Sequence, residues 1–572
     1  MKLIWSSPLI YLSLLRHSSS NNRVEKFDQM QLDYREPSCA QFNSPSIRRF
    51  SLWFAVIFIW AGCTHSFVFA LDNSTFSALS GFPHANVAPL ITPLGGLDQE
   101  KNKQNNSGSD LPNIILINCD DMGYGDLQNY GNPKIRTPNI NQLGKEGVRF
   151  TDFYVAQPVC SASRTALLSS CYPNRLGILG ALGPNARHGI SSKETLIPKM
   201  LKSKGYHTMI IGKWHLGSLP EFLPTRHGFD EYYGLPYSND MIPGNGRNFP
   251  DLPLYENEKV MRYNPDQDLL TSEYTQRALT FIQKHHDQPF FIYLAHAMPH
   301  VPIHASTAFR DKSMAGLYGD VIEEIDAGVG KILAQLKKDN LDKKTLVIFT
   351  SDNGPWLIQG KNGGYPGPLR EGKATTFEGG IRVPCLMRWP GVIPEGKISK
   401  EPVMTIDLLP TFAEITGAEL PKLPIDGKSI LPIMKESIDA KIPAKSPHEA
   451  LFFYWNNELQ AVRMGKWKLH FPHTYNHVAK FSEGKGDGKS GKKMPKSGMI
   501  FIPEKIALSL YNLEEDIGET KEVSKEHPEI VAQIQKLADK MREDLGDSLQ
   551  KINGNGKRPS PVIKDKKKKN KK

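Results

Sequence analysis

The chain has 572 residues, of which 39% are hydrophobic and 23% charged, a composition that excludes collagen-like, disordered and multi-span membrane proteins. Its formal net charge is +11, but residues 551–572 carry ten basic side chains and one acid and so account for +9. The nearly neutral remainder argues against a nucleic-acid partner. We expect residues 551–572 to form a disordered, Lys-rich tail.

The N-terminal region has the pattern of an export signal. Arg48 and Arg49 precede an apolar run at residues 50–61, which is followed by small and polar residues and then by Val68-Phe69-Ala70. This order predicts a signal peptide over residues 1–70 and a periplasmic or secreted protein. Residues 50–70 are also long enough to span a bilayer, so an uncleaved leader would anchor the protein to a membrane. Residues 71–110, rich in Ser, Asn, Gly and Pro, predict a linker.

Four short apolar runs predict the central sheet of a catalytic region at residues 111–445. They are continuous rather than alternating, which is typical of strands buried on both faces of a parallel sheet. Helical patterns lie between them, which indicates an α/β fold with a large, mainly parallel sheet sandwiched by helices. The runs are Ile114-Ile115-Leu116-Ile117, Met209-Ile210-Ile211, Phe290-Phe291-Ile292-Tyr293-Leu294 and Leu346-Val347-Ile348-Phe349.

A second, smaller unit is predicted at residues 446–550. Short strand-like runs at residues 451–455, 461–463 and 467–471 precede a helical pattern at residues 528–545. Their order predicts a small antiparallel sheet with a helix on one face.

Polar residues of the kinds used in catalysis follow each of the four apolar runs. Open α/β sheets form their sites at the carboxyl ends of the strands, so we expect these residues to meet in one site. Any one cluster could be an ordinary turn, but four together favour a site. The clusters are Asp120-Asp121, Lys213 with His215, His296 with His300, and Asp352-Asn353.

Two of these clusters indicate a metal site. Asp120 and Asp121 cannot both face an apolar site as free anions, because like charges repel strongly at short range. A hard cation would remove that repulsion, and Asp352 and Asn353 offer further oxygen ligands. An oxygen-only ligand set favours Ca²⁺ or Mg²⁺ over zinc.

Cys160 lies where a loop turns into an apolar helix. A helix N-terminus stabilises developing negative charge, and Arg164 one turn later adds a fixed positive charge. By these arguments alone, a catalytic nucleophile and a buried structural cysteine are about equally good interpretations. We interpret the other cysteines of the catalytic region, Cys119, Cys171 and Cys385, as structural.

The segment that begins at Cys160 resembles the signature of the type I sulfatases, usually Cys-x-Pro-Ser-Arg followed by Leu-x-Gly-x-Tyr-Pro. Further motifs similar to that family's occur in the same order, from about residue 113 to the terminal helix. They are most similar to the arylsulfatase A and N-acetylgalactosamine-6-sulfatase branch. The matching segments are Asp120-Asp121, Cys160-Ser161-Ala162-Ser163-Arg164, Gly212-Lys213-Trp214-His215, Tyr237-Ser238-Asn239-Asp240, Met298-Pro299-His300, Ser351-Asp352-Asn353-Gly354 and Gly372-Lys373 through Gly380.

The resemblance implies an alkaline-phosphatase-like fold and hydrolysis of a sulfate monoester, either a sulfated carbohydrate or an aryl sulfate. It implies that a maturation enzyme oxidises Cys160 to Cα-formylglycine, whose hydrate attacks sulfur. One Ca²⁺ would be held by Asp120, Asp121, Asp352, Asn353 and an oxygen of the residue made from Cys160.

The resemblance also implies roles for the remaining site residues. Basic side chains would offset the charge on the sulfate and the hydrate, while titratable groups would move protons. The implied roles are charge compensation by Arg164, Lys213 and Lys373, general base for Asp352, acid to the leaving alcohol for His300, help in elimination for His215, and sulfate binding by Ser238.

The sequence departs from the family pattern at one position, and two alternative functions remain open. Ala162 stands where most members of the family have Pro, so conversion of Cys160 depends on the maturation enzyme of the host. The first alternative is a formylglycine-dependent phosphonate or phosphate ester hydrolase of the same fold. The second is an unmodified, non-catalytic protein that binds sulfated glycans.

Overall fold

The computed structural model describes residues 111–245, 247–481, 495–560 and 562–563. The predicted leader at residues 1–70 and the predicted linker at residues 71–110 lie outside this part of the chain. Within the described ranges, no helix combines the length and the apolar composition that a bilayer crossing requires.

Strands and helices alternate through the catalytic region, as the sequence pattern predicts. The strands are β1 (Asn113–Cys119), β2 (Val148–Phe150), β3 (Phe153–Tyr154), β4 (His207–Gly212), β5 (Glu231–Gly234), β6 (Pro253–Glu256), β7 (Lys259–Tyr263), β8 (Phe290–Ala295), β9 (Thr345–Ser351), β10 (Cys385–Arg388), β11 (Lys397–Ser399), β12 (Val403–Met404), β13 (Leu451–Trp455), β14 (Glu458–Met464), β15 (Trp467–His470), β16 (His473–Lys480), β17 (Met499–Ile506) and β18 (Ser509–Asn512). The helices are α1 (Pro138–Lys145), α2 (Cys160–Ser169), α3 (Pro173–Leu176), α4 (Ile197–Lys202), α5 (Leu270–Lys284), α6 (Gly316–Lys338), α7 (Glu378–Ile381), α8 (Leu408–Thr416), α9 (Leu431–Lys435) and α10 (Pro528–Leu545).

The main sheet of the described residues has ten strands in the order β11-β2-β10-β9-β1-β8-β4-β5-β6-β7. Its centre, β9-β1-β8-β4-β5, is parallel throughout. Antiparallel pairings flank it, since β10 runs against both β9 and β2, and β6 runs against both β5 and β7. The four predicted strands are therefore confirmed as parallel neighbours, and their carboxyl ends lie at one edge.

Both faces of the central strands are buried, which explains their continuous apolar sequences. In β1, Ile114 and Leu116 pack into the core that holds the apolar side chains of α2, α4 and α8. Ile115 and Ile117 point to the opposite face and join the core that holds those of α1, α5 and α6. The sheet is sandwiched between two helical layers, as predicted.

The C-terminal elements match the prediction closely. β13, β14, β15 and β18 form a four-stranded antiparallel sheet, and α10 contributes Ile534 and Ala538 to the core shared with that sheet. A separate hairpin pairs β16 with β17.

The predicted disordered tail begins too early in the chain. Residues 551–560 follow the surface of the catalytic region, where the Arg558 and Ser560 N–H groups donate to the carbonyls of Arg175 and Leu176. The Arg558 guanidinium also lies 2.8 Å from the Glu194 carboxylate. The prediction of disorder is therefore wrong for residues 551–560, because an ion pair with a distant segment orders a stretch of high positive charge. Residues 564–572 lie outside the described residues.

Candidate active site

The site lies at the carboxyl ends of the parallel strands. Asp120 and Asp121 follow β1, Lys213 follows β4, and Asp352 follows β9. Backbone hydrogen bonds join these loops, since the Asp120 N–H donates to Met298 O at 3.2 Å and the Asp352 N–H donates to Cys119 O at 3.0 Å. The sheet therefore brings the predicted clusters together.

Two site residues adopt the left-handed backbone conformation that side chains other than glycine seldom take. Asp121 has a φ of 63° and His215 a φ of 64°. Such conformations cost free energy and persist only where the surrounding fold imposes them. Both residues sit at turns that follow a central strand and aim their side chains into the site.

Three buried carboxylates meet in the site. Asp120, Asp121 and Asp352 are 3% exposed or less. The Asp121 N–H donates to Asp352 Oδ1 at 3.2 Å, and Asn353 Nδ2 donates to Asp121 Oδ1 at 2.7 Å. Single ligand atoms of Asp120, Asp121 and His300 all lie within 4.8 Å of one another, so this cluster could hold a metal ion.

Three buried basic side chains balance these carboxylates. The Arg164 guanidinium lies 2.8 Å from Asp352 Oδ2 and 3.4 Å from Asp120 Oδ2. Lys213 pairs with Asp120, and Lys373 Nζ lies 2.7 Å from Asp121 Oδ1. Three negative and three positive groups leave the cluster without net charge when His300 is neutral.

The electrostatic surroundings shift the pKa values of Asp120 and Asp352, the two carboxylates that share Arg164, in opposite directions. Burial disfavours the charged form of Asp120, but Lys213 and Arg164 outweigh it and hold the pKa of this carboxyl well below its usual range. Burial and the neighbouring charge of Asp120 raise the pKa of Asp352. Lys373 is also buried, yet Asp121 and its neighbours raise the pKa of its ammonium group.

The donor set fits a hard cation. Within the described residues, Asp120 Oδ1 and Asn353 Oδ1 are buried without a hydrogen-bond partner. Unpartnered buried oxygens are costly in a folded protein, and a metal ion would satisfy them. Carboxylate and amide oxygens from Asp120, Asp121, Asp352 and Asn353 are the ligand types that Ca²⁺ and Mg²⁺ prefer.

Cys160 is the first residue of α2 and is 2% exposed. Burial raises the pKa of its thiol, while Lys213 and Lys373 act in the opposite direction. Arg164, one turn further along α2, pairs with Asp352 across the site. The helix therefore places Cys160 beside the basic residues, as expected of a nucleophile position.

Three further predicted residues line the site. The Ser238 hydroxyl accepts a hydrogen bond from Lys213 Nζ at 3.1 Å. His215 Nε2 lies 2.8 Å from the Leu182 carbonyl, and its buried Nδ1 has no partner among the described residues. His300 Nδ1 lies 2.6 Å from the Val301 carbonyl, which leaves Nε2 to face Asp121 at 3.6 Å.

Some residues of this region were not singled out from the sequence. Trp356 packs against both His300 and Lys373. Its ring centroid lies 5.4 Å from that of His300, and Lys373 Nζ lies 4.7 Å from the indole centroid. Asn239 bonds Gln267 and the Pro302 carbonyl and so holds the segment that carries Ser238. Asn239 lies within the matched segment that carries Ser238, and Trp356 lies two positions after the Asp352 motif; these positions are the signal that could have identified them.

The sequence also matches known proteins. Residues 112–418 match the family model described as Sulfatase, and residues 446–569 match the C-terminal region of aryl-sulfatase. The chain is 40% identical to N-acetylgalactosamine-6-sulfatase of Sus scrofa, over 65% of this chain and 74% of the relative. It is 40% identical to arylsulfatase A of Homo sapiens, over 63% of this chain and 75% of the relative.

A solved structure supports the same assignment. The Ps i-CgsB structure in complex with k-i-k-neocarrahexaose superimposes with a TM-score of 0.60 at 31% identity, covering 75% of this chain and 92% of that chain. Since one family model covers more than half of the chain and the relatives agree with it, the chain belongs to the sulfatase family and is an enzyme that hydrolyses sulfate esters.

Proposed function

We propose that this enzyme removes sulfate from a sulfated carbohydrate or an aryl sulfate, with a formylglycine made from Cys160 and a bound Ca²⁺. The observation that carries the proposal is the balance of three carboxylates and three basic side chains at the N-terminus of α2. Adding one divalent cation would give this cluster a net charge of +2. That charge complements a sulfate monoester and disfavours a neutral substrate.

The metal would be held by Asp120, Asp121, Asp352 and Asn353, whose oxygens converge in the site. Their chemistry supports Ca²⁺ or Mg²⁺, and the family resemblance favours Ca²⁺. When bound, the ion supplies positive charge and the formylglycine hydrate supplies the attacking hydroxyl.

The basic residues bind and orient the sulfate. In the structure, Lys213 pairs with Asp120 and Lys373 with Asp121. If these carboxylates held a cation, both ammonium groups would be available to bind the sulfate. The hydrogen bond to Ser238 holds Lys213 in place. Arg164 stays paired with Asp352 and positions that carboxylate beside Cys160.

The two histidines suit different proton transfers. Val301 fixes the Nδ1–H of His300, so Nε2 is the nitrogen that protonates the leaving alcohol. Leu182 fixes the Nε2–H of His215, so the unpartnered Nδ1 can accept a proton. Burial lowers the pKa of both imidazoles, which keeps His215 a base and makes a proton on His300 easy to lose. Asp352, which Arg164 holds in place, is the candidate general base for the attacking hydroxyl.

The proposal is tested by comparing 4-nitrophenyl sulfate with the corresponding phosphate and phosphonate esters. We expect the sulfate ester to be hydrolysed with the highest kcat/KM, and Cys160→Ala to lower that value at least about 10³-fold. Cys385→Ala, which removes a buried thiol from β10, serves as the matched control and keeps the activity. A phosphonate or phosphate preference would replace this proposal with the first alternative. Binding of sulfated sugars without any turnover would favour the second.

We further propose that the protein is exported and that a maturation enzyme acts on Cys160 in the host. The sequence pattern at residues 48–70 supports removal of the leader after Ala70. N-terminal sequencing of protein purified from its host should begin at Leu71. A start that retains residues 50–70 would support a membrane anchor instead.

A further inference from the structure

Trp356 forms the outer wall of the site. It follows the segment that carries Asp352 and Asn353, and its ring packs against His300 and under Lys373. His300 and Lys373 are almost fully buried, whereas Trp356 keeps part of its surface exposed. The indole is therefore the outermost of these three side chains, between the proposed leaving-group acid and solvent.

The backbone holds Trp356 in this position. The Trp356 carbonyl accepts a hydrogen bond from the Gln359 N–H at 3.0 Å. The Pro355 carbonyl accepts from the N–H groups of Leu357 and Lys373, at 3.2 and 2.9 Å. The hairpin β16–β17 packs against the following turn, residues 357–362. These contacts hold the main chain, and the contacts with His300 and Lys373 hold the ring, which lowers the entropic cost of using it as a contact surface.

The chemistry of the exposed part of Trp356 suits a sugar ring. An indole offers a flat apolar face and one N–H donor. Among the described residues, no partner accepts a hydrogen bond from this N–H. A pyranose presents a face of C–H groups that can stack on such a surface, and hydroxyl oxygens that can accept from the N–H. An aryl ring would stack on the indole face but would not accept a hydrogen bond from the N–H.

We propose that Trp356 is a specificity-determining residue that stacks against the pyranose ring bearing the sulfate. The inference rests on the proposed function, because it takes the sulfate to lie beside Lys373 and the leaving oxygen to lie beside His300. It narrows the substrate class to sulfated sugars whose ring lies directly outside the sulfate pocket. Binding of the sulfate group itself does not depend on Trp356.

Binding is measured in a Cys160→Ala background, so that no turnover occurs and the result does not depend on formylglycine. The probes are a monosulfated galactose and inorganic sulfate, titrated by calorimetry into the metal-loaded full chain. Adding Trp356→Ala should weaken the sugar about tenfold and inorganic sulfate less than about twofold. Trp356→Phe should recover the stacking but not the hydrogen bond, and so only part of the sugar affinity. Trp389→Phe is the control. Trp389 directly follows β10, at the edge of the sheet opposite the site, and its substitution should change neither affinity.

Kinetics on the unmutated Cys160 background provide the second readout. Trp356→Ala should raise KM for the sulfated sugar while kcat changes less than about threefold, because stacking holds the ground state and the transition state alike. An equal loss of affinity for inorganic sulfate would overturn the inference and assign Trp356 a supporting role for Lys373. An unchanged sugar affinity would overturn it as well. Sugar binding without any turnover by the wild-type enzyme would refute the proposed function while leaving the role of Trp356 intact.

Discussion

Lys468→Met removes the cation at the centre of a buried ion cluster that joins the two parts of the structure. Lys468 Nζ lies 2.8 Å from Glu378 Oε1 and 2.8 Å from Glu519 Oε1, and none of the three side chains is exposed. Glu378 begins α7 in the catalytic region, whereas Lys468 and Glu519 belong to the C-terminal elements. Burial disfavours a charged Glu378, yet Lys468 and Arg382 hold the pKa of its carboxyl below its usual value.

The size of the effect follows from the partners that remain. After the substitution, Glu378 keeps Arg382 at 3.1 Å and Glu519 keeps His470 at 2.8 Å. Removing one member of a buried ion pair costs about 3–5 kcal/mol, because the other charge stays buried without compensation. Glu378 also keeps a hydrogen bond from the Tyr154 hydroxyl, and Glu519 keeps one from the Glu378 N–H. Since each carboxylate retains these partners, we expect the lower end, about 3 kcal/mol.

The assay is urea unfolding of the full chain followed by tryptophan fluorescence. Lys468→Met should lower the free energy of unfolding by about 3 kcal/mol, and Lys468→Met with Glu519→Gln should regain about 1–2 kcal/mol of it. Lys466→Met, a half-exposed neighbour, should cost less than about 0.5 kcal/mol. A cost below about 1 kcal/mol for Lys468→Met, or a double variant no more stable than the single one, would refute this reasoning.

Three further substitutions test other parts of the structure. Burial lowers the pKa of His296 from 6.5 to about 4, so this histidine contributes stability above pH 6.5 that is lost as the pH falls toward 4. Between pH 7 and pH 5 the wild type should lose about 2 kcal/mol more unfolding free energy than His296→Phe, and equal losses would contradict a neutral buried imidazole. Arg558→Ala leaves buried Glu194 without its cation and should cost about 1–3 kcal/mol in urea unfolding, whereas an unchanged midpoint would show that residues 551–560 add nothing to stability. Lys373→Met should lower kcat/KM for 4-nitrophenyl sulfate about 10²–10³-fold, because it removes a charge that faces the sulfate, and a change below about tenfold would contradict that role.

The centre of the fold could be predicted because its physical cause is local. A strand buried on both faces must be apolar at every position, and the four consecutive apolar residues from Ile114 to Ile117 show this pattern. The helix over Gly316–Lys338 and the helix over Pro528–Leu545 show the 3.6-residue period for the same reason. The flanking strands β2 and β10 are too short to carry such a pattern, and their antiparallel pairing depends on contacts between distant segments.

The order of residues 551–560 shows the limit of composition as a guide. A run of lysines with glycine and proline predicts a solvated tail whatever the rest of the chain contains. Arg558 is ordered by Glu194, which lies 364 positions earlier in the sequence. Nothing near Arg558 in the sequence indicates that partner, so the prediction of disorder could not have been avoided by local reasoning.

The residues of the candidate site also differ in how well the sequence alone identifies them. Adjacent Asp120 and Asp121 at a strand end predict a cation by charge repulsion alone, and the structure brings Asn353 to them. For Trp356 the sequence offers only its position shortly after the Asp352 motif, because its contacts with His300 and Lys373 arise from the fold. Residues that act through charge were therefore easier to recognise than one that acts through shape.

The decisive experiment is peptide mass spectrometry across Cys160, on protein purified from its own host so that the matching maturation enzyme has acted. We expect the peptide to carry the aldehyde of formylglycine at this position. A peptide containing only the free thiol, from protein that still hydrolyses sulfate esters, would contradict the proposed nucleophile. The free thiol in inactive protein would instead indicate a chain that binds sulfated ligands without cleaving them.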